Sequence, residues 1–283
     1  MSTSFDPISV AIQGELGSNS ALAAEQFFAT EVTIVPCAAF ADLFEAVATG
    51  RALYGMAPVE NSLAGSIHDV WHLLAEHPLP VSGEIYFHVN HCLIAHPGVQ
   101  LDELRYIHSH EQALAQCQNF LLGLKNAQQK AAYDTAGAVQ LIKENGWKDA
   151  AAIAPEQAAL NHDMAVLARN IQTNPVNYTR FLVLAHQKPA AANAPTKTTL
   201  ILQVNNLARD LPTLLTHLHK QRIETDKVET RKRLGHPWEY LIYLELLANA
   251  GGEHIAAALE DLGLQVQNLH LVGTYPAATR PKT

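Results

Sequence analysis

Asn177-Tyr178-Thr179-Arg180-Phe181-Leu182-Val183-Leu184-Ala185 is the stretch whose reading decides the fold of this 283-residue chain. Its apolar half, from Phe181 to Ala185, reads as a strand. Its polar half sets a hydroxyl and a guanidinium side by side at the mouth of that strand. Arginine's planar fork meets a carboxylate with two parallel bonds, so a Thr-Arg step here can offer a donor and a fixed charge to one small anion. On its own, such a step is more often an edge-strand arginine in a surface ion pair. The surrounding sequence decides between the two.

Upstream, short apolar runs alternate with amphipathic ones. Strands are predicted at Ile8–Ile12, Thr33–Pro36, Leu53–Val59, His91–Ala95, Ala131–Tyr133 and Ala151–Ala154. Helices are predicted at Ala21–Phe28 after an N-cap Ser20, then Phe40–Thr49, Gln112–Leu122, Ala136–Asn145 and Glu156–Leu160. With Phe181–Ala185 as the closing strand, this is an α/β pattern with largely parallel sheets. Such sheets bind ligands beyond the carboxyl ends of their strands. The loops expected there, Gly14–Ser20, Glu60–Ser66, Ser109–His110 and Thr135–Gly137, offer hydroxyls, amides and backbone N–H groups at helix starts, where a carboxylate is favoured. Each alone is ordinary capping. Together with Thr179-Arg180 they suggest an anion-recognising cleft.

Downstream, residues 188–197 hold two prolines and no hydrophobic periodicity, a linker signature. Beyond it come a strand Thr198–Val204, a helix Leu211–Gln221, an extended segment Ile223–Arg231, a strand Glu239–Glu245, a helix His254–Leu262 and a strand Gln265–Val272. This βαββαβ order is ferredoxin-like. The expected domains are therefore 6–187 and 197–276.

Composition removes several classes of function. Hydrophobic residues make up 48% and charged residues 16%, as in a globular protein, and the net charge of −8 argues against a nucleic-acid partner. The one basic run, Arg231-Lys232-Arg233, reads as a solvated turn. Met1–Pro7 lacks a basic region followed by an apolar stretch, so no signal peptide is expected, and no apolar run reaches the ~18 residues of a membrane span. Three scattered cysteines, Cys37, Cys92 and Cys117, suit free thiols in a cytoplasmic setting. Among fifteen histidines, His88/His91 and His108/His110 lie closest, but neither pair has metal-site spacing, and no metal is expected.

Five segments carry a resemblance. They are Gly14-Glu-Leu-Gly-Ser-Asn-Ser20, Pro58-Val-Glu-Asn-Ser-Leu-Ala-Gly-Ser66, Ser109-His-Glu-Gln-Ala-Leu-Ala-Gln-Cys117, Asp134-Thr-Ala-Gly137, and Asn170-Ile-Gln followed by Asn177-Tyr-Thr-Arg-Phe181. In this order and spacing they resemble the prephenate dehydratases, and the carboxyl-terminal region resembles an ACT regulatory domain. The resemblance implies a two-lobed catalytic domain like a type-2 periplasmic binding protein, crossing between lobes near Ser82–Ile85 and returning near Leu167–Ile171.

It also implies the chemistry. Prephenate carries two carboxylates and a ring hydroxyl. Losing carbon dioxide and that hydroxyl aromatises the ring, so no redox cofactor is needed, and no dinucleotide or P-loop motif occurs. The reaction needs orientation and help for the departing hydroxyl. On this resemblance Arg180 anchors a substrate carboxylate, Thr179 donates to the leaving hydroxyl, and Glu60 is the candidate acid, unless it only braces its loop. Asn61 and Ser62 bind substrate oxygens, Asn177 and Phe181 flank them, and Ser109, Thr135, Ala136 and Gly137 form the opposite wall. Capping remains the alternative for Ser109 and Thr135, and core packing for Phe181.

In the ACT-like region the effector positions read Asp210-Leu211-Pro212 and Glu229-Thr230-Arg231-Lys232, where the family pattern has Gly-Ala-Leu and Glu-Ser-Arg-Pro. A glycine lets a ligand approach the backbone, and Asp-Leu-Pro does not. Phenylalanine is the expected effector and a homodimer or homotetramer the expected assembly. Two rivals are an arogenate dehydratase, acting on the aminated substrate, and a non-catalytic amino-acid sensor.

Overall fold

A computed structural model describes residues 8–188, 196–233, 235–248 and 252–281. The readings at Met1–Pro7 and over the middle of the linker, 189–195, lie outside the described residues. The chain runs β1 (Ile8–Gln13), α1 (Asn19–Phe28), β2 (Val32–Cys37), α2 (Phe40–Ala48), β3 (Tyr54–Asn61), β4 (Gly65–Ser66), α3 (His68–Glu76) and β5 (Val81–His88). Next come β6 (Cys92–Ala95), β7 (Tyr106–Ser109), α4 (Glu111–Gln116), α5 (Gln118–Leu121), β8 (Gln128–Ala131), α6 (Thr135–Asn145), β9 (Ala150–Ala154), α7 (Glu156–Asn161), β10 (Ala165–Ala168) and β11 (Tyr178–Ala185). The last part is β12 (Thr196–Val204), α8 (Leu207–Lys220), β13 (Thr225–Lys232), β14 (Tyr240–Leu246), α9 (Glu253–Gly263) and β15 (Asn268–Pro276).

Two compact units result. The first is built from Met1–Val70 and Ile85–Leu182 with Arg280–Thr283, the second from Trp71–Glu84 with Val183–Thr279. Two sheets organise the first unit into two lobes. One has the order β2-β1-β3-β11-β5, with β4 paired to β3, and the other β10-β6-β9-β7-β8. Within them β1 runs parallel to β2 and β3, and β7 parallel to β8 and β9. Strand β9 shows why such a strand needs no polar alternation. Its Ala150, Ala152 and Ala154 pack with Ala138, Val139 and Ile142 of α6, while Ala151 and Ile153 pack with Ile107 and Leu114 on the other face.

Several boundaries move from the sequence reading. The predicted helix Gln112–Leu122 breaks at Cys117, whose backbone leaves the helical region and whose thiol is fully buried. The Gln116 carbonyl accepts the Thr173 N–H at 2.8 Å at that break. Strand β8 lies three residues before the expected Ala131–Tyr133. The crossings between lobes also shift. Strand β5 stays in the first sheet to His88, so the chain crosses at 89–91 rather than near Ser82–Ile85, and returns through 169–177.

The second unit holds an antiparallel sheet of order β13-β14-β12-β15 with α8 and α9 on one face. Leu200, Leu202 and Val204 of β12 join Leu214, Leu218 and Leu262 in its core. Lys197, assigned to the linker end by sequence, is instead inside β12 and buried. Its Nζ lies 2.9 Å from Glu84 Oε1 and 2.8 Å from Asp226 Oδ2, an arrangement in which partners offset the cost of burying charge. Helix α8 begins at Leu207, capped by Asn206, so Asp210-Leu211-Pro212 lies within the helix and not in a turn before it.

Candidate active site

The site is assembled where strand ends of both lobes meet helix starts. A cleft of about 210 Å³ in the first unit is lined by Asn61 after β3, Thr179 and Phe181 of β11, and Ser18–Ser20 at the start of α1. His110, Gln112 and Gln116 face it from α4, and Tyr133, Asp134 and Thr135 from the start of α6. Ser18 caps α1, accepting the Ala21 N–H, and Asp134 caps α6, accepting the Gly137 N–H at 3.0 Å. Both helices are long enough for their positive ends to favour a bound anion.

Strand alternation sorts the Thr-Arg-Phe step. Neighbouring residues of a strand point to opposite faces, so Thr179 and Phe181 reach the cleft while Arg180 turns away. Arg180 is only 3% exposed, and its Nη1 lies 3.8 Å from Glu60 Oε2. The expected direct anchor is thus absent from the lining, as is Glu60, the expected acid. Phe181 is both core and cleft wall, at 1% exposure.

The other expected residues divide similarly. Asn61 and Thr135 line the cleft. Ser62 does not: its hydroxyl donates to the Val176 carbonyl and accepts the Tyr178 N–H, stitching its loop to β11. Ser109 is fully buried and donates to the Ile153 carbonyl at 2.6 Å, joining β7 to β9, which is neither wall nor cap. Asn177, also fully buried, sits behind Asn61, accepting from its Nδ2 at 2.9 Å. Ala136 is core, and the Gly137 N–H is taken by Asp134.

Asp134 was not singled out by the sequence and is the one carboxylate among the lining residues. Burial pushes its carboxyl up from the ordinary range, against the pull of the Gly137, Glu15 and Thr135 N–H groups. It also bridges the lobes, since Glu15 N donates to Asp134 Oδ2 at 3.2 Å and Tyr133 Oη donates to Glu15 Oε1 at 2.6 Å. Two glycines permit this closeness. A Cβ on Gly14 (φ +106°) would stand 2.9 Å from Asp134 Oδ1, and one on Gly17 (φ +82°) 2.8 Å from Asn161 Nδ2.

The effector positions lie in the second unit. Asp210 pairs with Arg209 at 2.7 Å, which holds its carboxyl below the usual range, and it accepts the Asn206 N–H. Leu211 packs against the α8–α9 core. Glu229 on β13 pairs with Lys227 and Arg231, and Thr230 stands opposite Ile242.

A two-lobed α/β domain whose cleft gathers helix starts, followed by a ferredoxin-like module, is the architecture of a binding-protein-like domain with a separate ACT-like sheet. The family model described as "Prephenate dehydratase" matches residues 10–189. An Arabidopsis thaliana relative, "Arogenate dehydratase/prephenate dehydratase 2, chloroplastic", is 36% identical over 284 residues, covering 96% of this chain and 74% of that protein. A solved prephenate dehydratase from Arthrobacter aurescens, in complex with L-Phe, superposes with a TM-score of 0.84 at 26% identity, over 95% of this chain and 89% of its own. Another solved structure, described as "GqqA- a novel type of quorum quenching acylases", gives a TM-score of 0.84 at 32% identity, over 95% and 98% of the two chains. The chain belongs to the prephenate dehydratase family, and its carboxyl-terminal sheet is the ACT-like part of that architecture. It is an enzyme of that type, turning prephenate into phenylpyruvate, carbon dioxide and water in phenylalanine biosynthesis.

Proposed function

We propose that the cleft catalyses this loss of carbon dioxide and water with Thr179 and Asp134 as the groups acting on the leaving hydroxyl. The observation that carries the reading is that the Thr179 hydroxyl shares one cleft with the capped starts of α1 and α6. Those helix ends favour the two substrate carboxylates. Thr179 Oγ1 accepts Asn61 Nδ2 at 3.1 Å, which leaves its own proton to donate to the substrate hydroxyl. A threonine hydroxyl is too weak an acid to surrender that proton, so Asp134 serves as the general acid in place of Glu60. A bound dianion would raise its carboxyl further still. Arg180 contributes positive charge from beneath β11 and orients Glu60.

Activation of a serine or cysteine, as acyl transfer requires, has less support. Among the described lining residues no serine is hydrogen-bonded to a histidine, and Cys117 is buried with its thiol pushed up to about 12. Dehydration is therefore the reading this cleft supports. The test is initial rates on prephenate and arogenate with pure protein. The expected preference is for prephenate, and a kcat/KM at least tenfold higher on arogenate would overturn it.

We further propose a catalytic domain of 6–187 and an ACT domain of 197–276, with phenylalanine as effector, in a cytoplasmic homodimer or homotetramer. No helix among the described residues is long and apolar enough to cross a membrane. The phenylalanine complex of the Arthrobacter aurescens protein supports the effector. Asp210, committed to Arg209 and the Asn206 N–H inside α8, stands where the family pattern is open, so binding by this chain is expected to be weak. Isothermal titration with phenylalanine checks this, with Asp210→Gly expected to tighten it several-fold. Equal affinity in both proteins would refute the role given to Asp210.

A further inference from the structure

Thr179 is held from behind by a ring of side-chain amides. Asn61 Nδ2 lies 3.1 Å from Thr179 Oγ1 and 2.9 Å from Asn177 Oδ1. Asn177 Nδ2 donates to Gln116 Oε1 at 2.8 Å, and Gln116 Nε2 donates back to Asn61 Oδ1 at 3.4 Å. An amide has two ends of nearly equal shape and opposite polarity. Were every amide reversed, Asn61 would present its carbonyl oxygen to Thr179 and draw the hydroxyl proton away from the cleft.

Two anchors fix the sense of the ring. At the exposed end, the Leu63 and Ala64 N–H groups donate to Asn61 Oδ1, each at 3.0 Å. At the buried end, His91 Nε2 lies 2.9 Å from Gln116 Oε1. A carbonyl oxygen only accepts, so His91 Nε2 carries the proton and a neutral ring leaves Nδ1 bare. That Nδ1 is buried and has no hydrogen-bond partner among the described residues, in a residue 2% exposed. A second proton would enter where no described residue accepts it, and burial indeed lowers the His91 pKa. The imidazole is thus a fixed donor. It lies in the crossing between the lobes, just before β6.

We infer that His91 and Gln116 are positioning residues for the dehydration: the Nε2–H of His91 sets the sense of the Gln116 amide, and the amide ring then turns the Thr179 proton into the cleft. This rests on the reading of Thr179 as donor to the departing hydroxyl. Both residues border the cleft, but their polar ends are given to the amide ring, His91 Nε2 to Gln116 Oε1 and Gln116 Nε2 to Asn61 Oδ1, so their effect is expected on turnover more than on binding.

The experiment is steady-state kinetics of the full chain on prephenate for His91→Leu, His91→Gln and Gln116→Met, each alone and combined with Thr179→Ala. His91→Leu removes the donor and His91→Gln retains one at the ε position. The expected results are an about tenfold fall in kcat for His91→Leu and Gln116→Met with KM within about threefold, and recovery of most of the loss in His91→Gln. On the Thr179→Ala background the His91 and Gln116 changes should cost no further rate. Equal losses on both backgrounds, or a His91→Gln variant no better than His91→Leu, would overturn the inference while leaving Thr179 in its role. A Thr179→Ala variant with wild-type kcat would remove the reading beneath it. Should His91→Leu fail to fold, Gln116→Met set against His91→Gln gives the same comparison.

Discussion

Asp134 caps a helix and joins two lobes with one carboxyl, the same group proposed as the general acid. Its oxygens accept backbone N–H groups from Gly137 and Glu15, which stabilise the charged form, yet burial outweighs them and raises the carboxyl. A general acid must be protonated to act, so kcat should fall as pH rises through this raised value, and the protonated share is lost above it. Asparagine caps a helix nearly as well as aspartate. Asp134→Asn should therefore fold normally, lose about 10²-fold or more in kcat, and lose the alkaline fall in a pH–rate profile. An unchanged profile in Asp134→Asn would remove it from the proton path. The sequence marks Asp134 only as the first residue of the Asp134–Gly137 segment of the family resemblance, because Asp134-Thr135 before a helix is otherwise indistinguishable from ordinary capping. That Thr179, Asn61 and Thr135 lie at the cleft is legible in the sequence, since strand and helix ends announce themselves locally. Ser109 was misread because its partner, the Ile153 carbonyl, lies 44 residues away, and no local pattern reports a tertiary bond.

At the scale of elements, the α/β alternation and the βαββαβ order could be read from periodicity, since β9 is apolar throughout and β12 holds the apolar run Leu200–Leu202. Strand β5 and the start of β12 could not. Strand β5 reads Val81-Ser-Gly-Glu-Ile-Tyr-Phe-His88, and its Gly83 and buried Glu84 break the pattern that a core strand would show. Lys197, the partner of Glu84, reads as linker for the same reason, because a lone charge fits a core strand only with its partners in place. The Gly14–Ser20 loop is an element in its own right, because its glycines let one lobe approach the other. Gly17 adopts φ +82°, and an added Cβ would also meet the Ala158 backbone at 3.1 Å. Gly17→Ala should hold the lobes apart and strain the loop, raising KM several-fold and lowering the melting temperature by a few degrees. Wild-type KM in that variant would show that this approach has no part in substrate binding.

The boundaries between the cleft-bearing unit and the unit containing the ACT-like sheet fall inside α3, β5 and β11. Strand β11 carries Thr179 in the first unit and Val183–Ala185 in the second, so the proposed donor to the departing hydroxyl shares a strand with an apolar core segment. That continuity explains why Asn177–Ala185 decided the fold as well as the site: its apolar end is core, and its polar end is the mouth of the cleft. The central claim is that this cleft dehydrates and decarboxylates prephenate through the Thr179 hydroxyl. It is tested most directly by following phenylpyruvate formation, by ultraviolet absorbance, in wild-type protein and Thr179→Ala side by side. The account predicts turnover by wild type and a kcat about 10²-fold lower in Thr179→Ala, with KM changed less than about threefold. No phenylpyruvate from folded wild-type protein, or equal kcat in the two proteins, would contradict it.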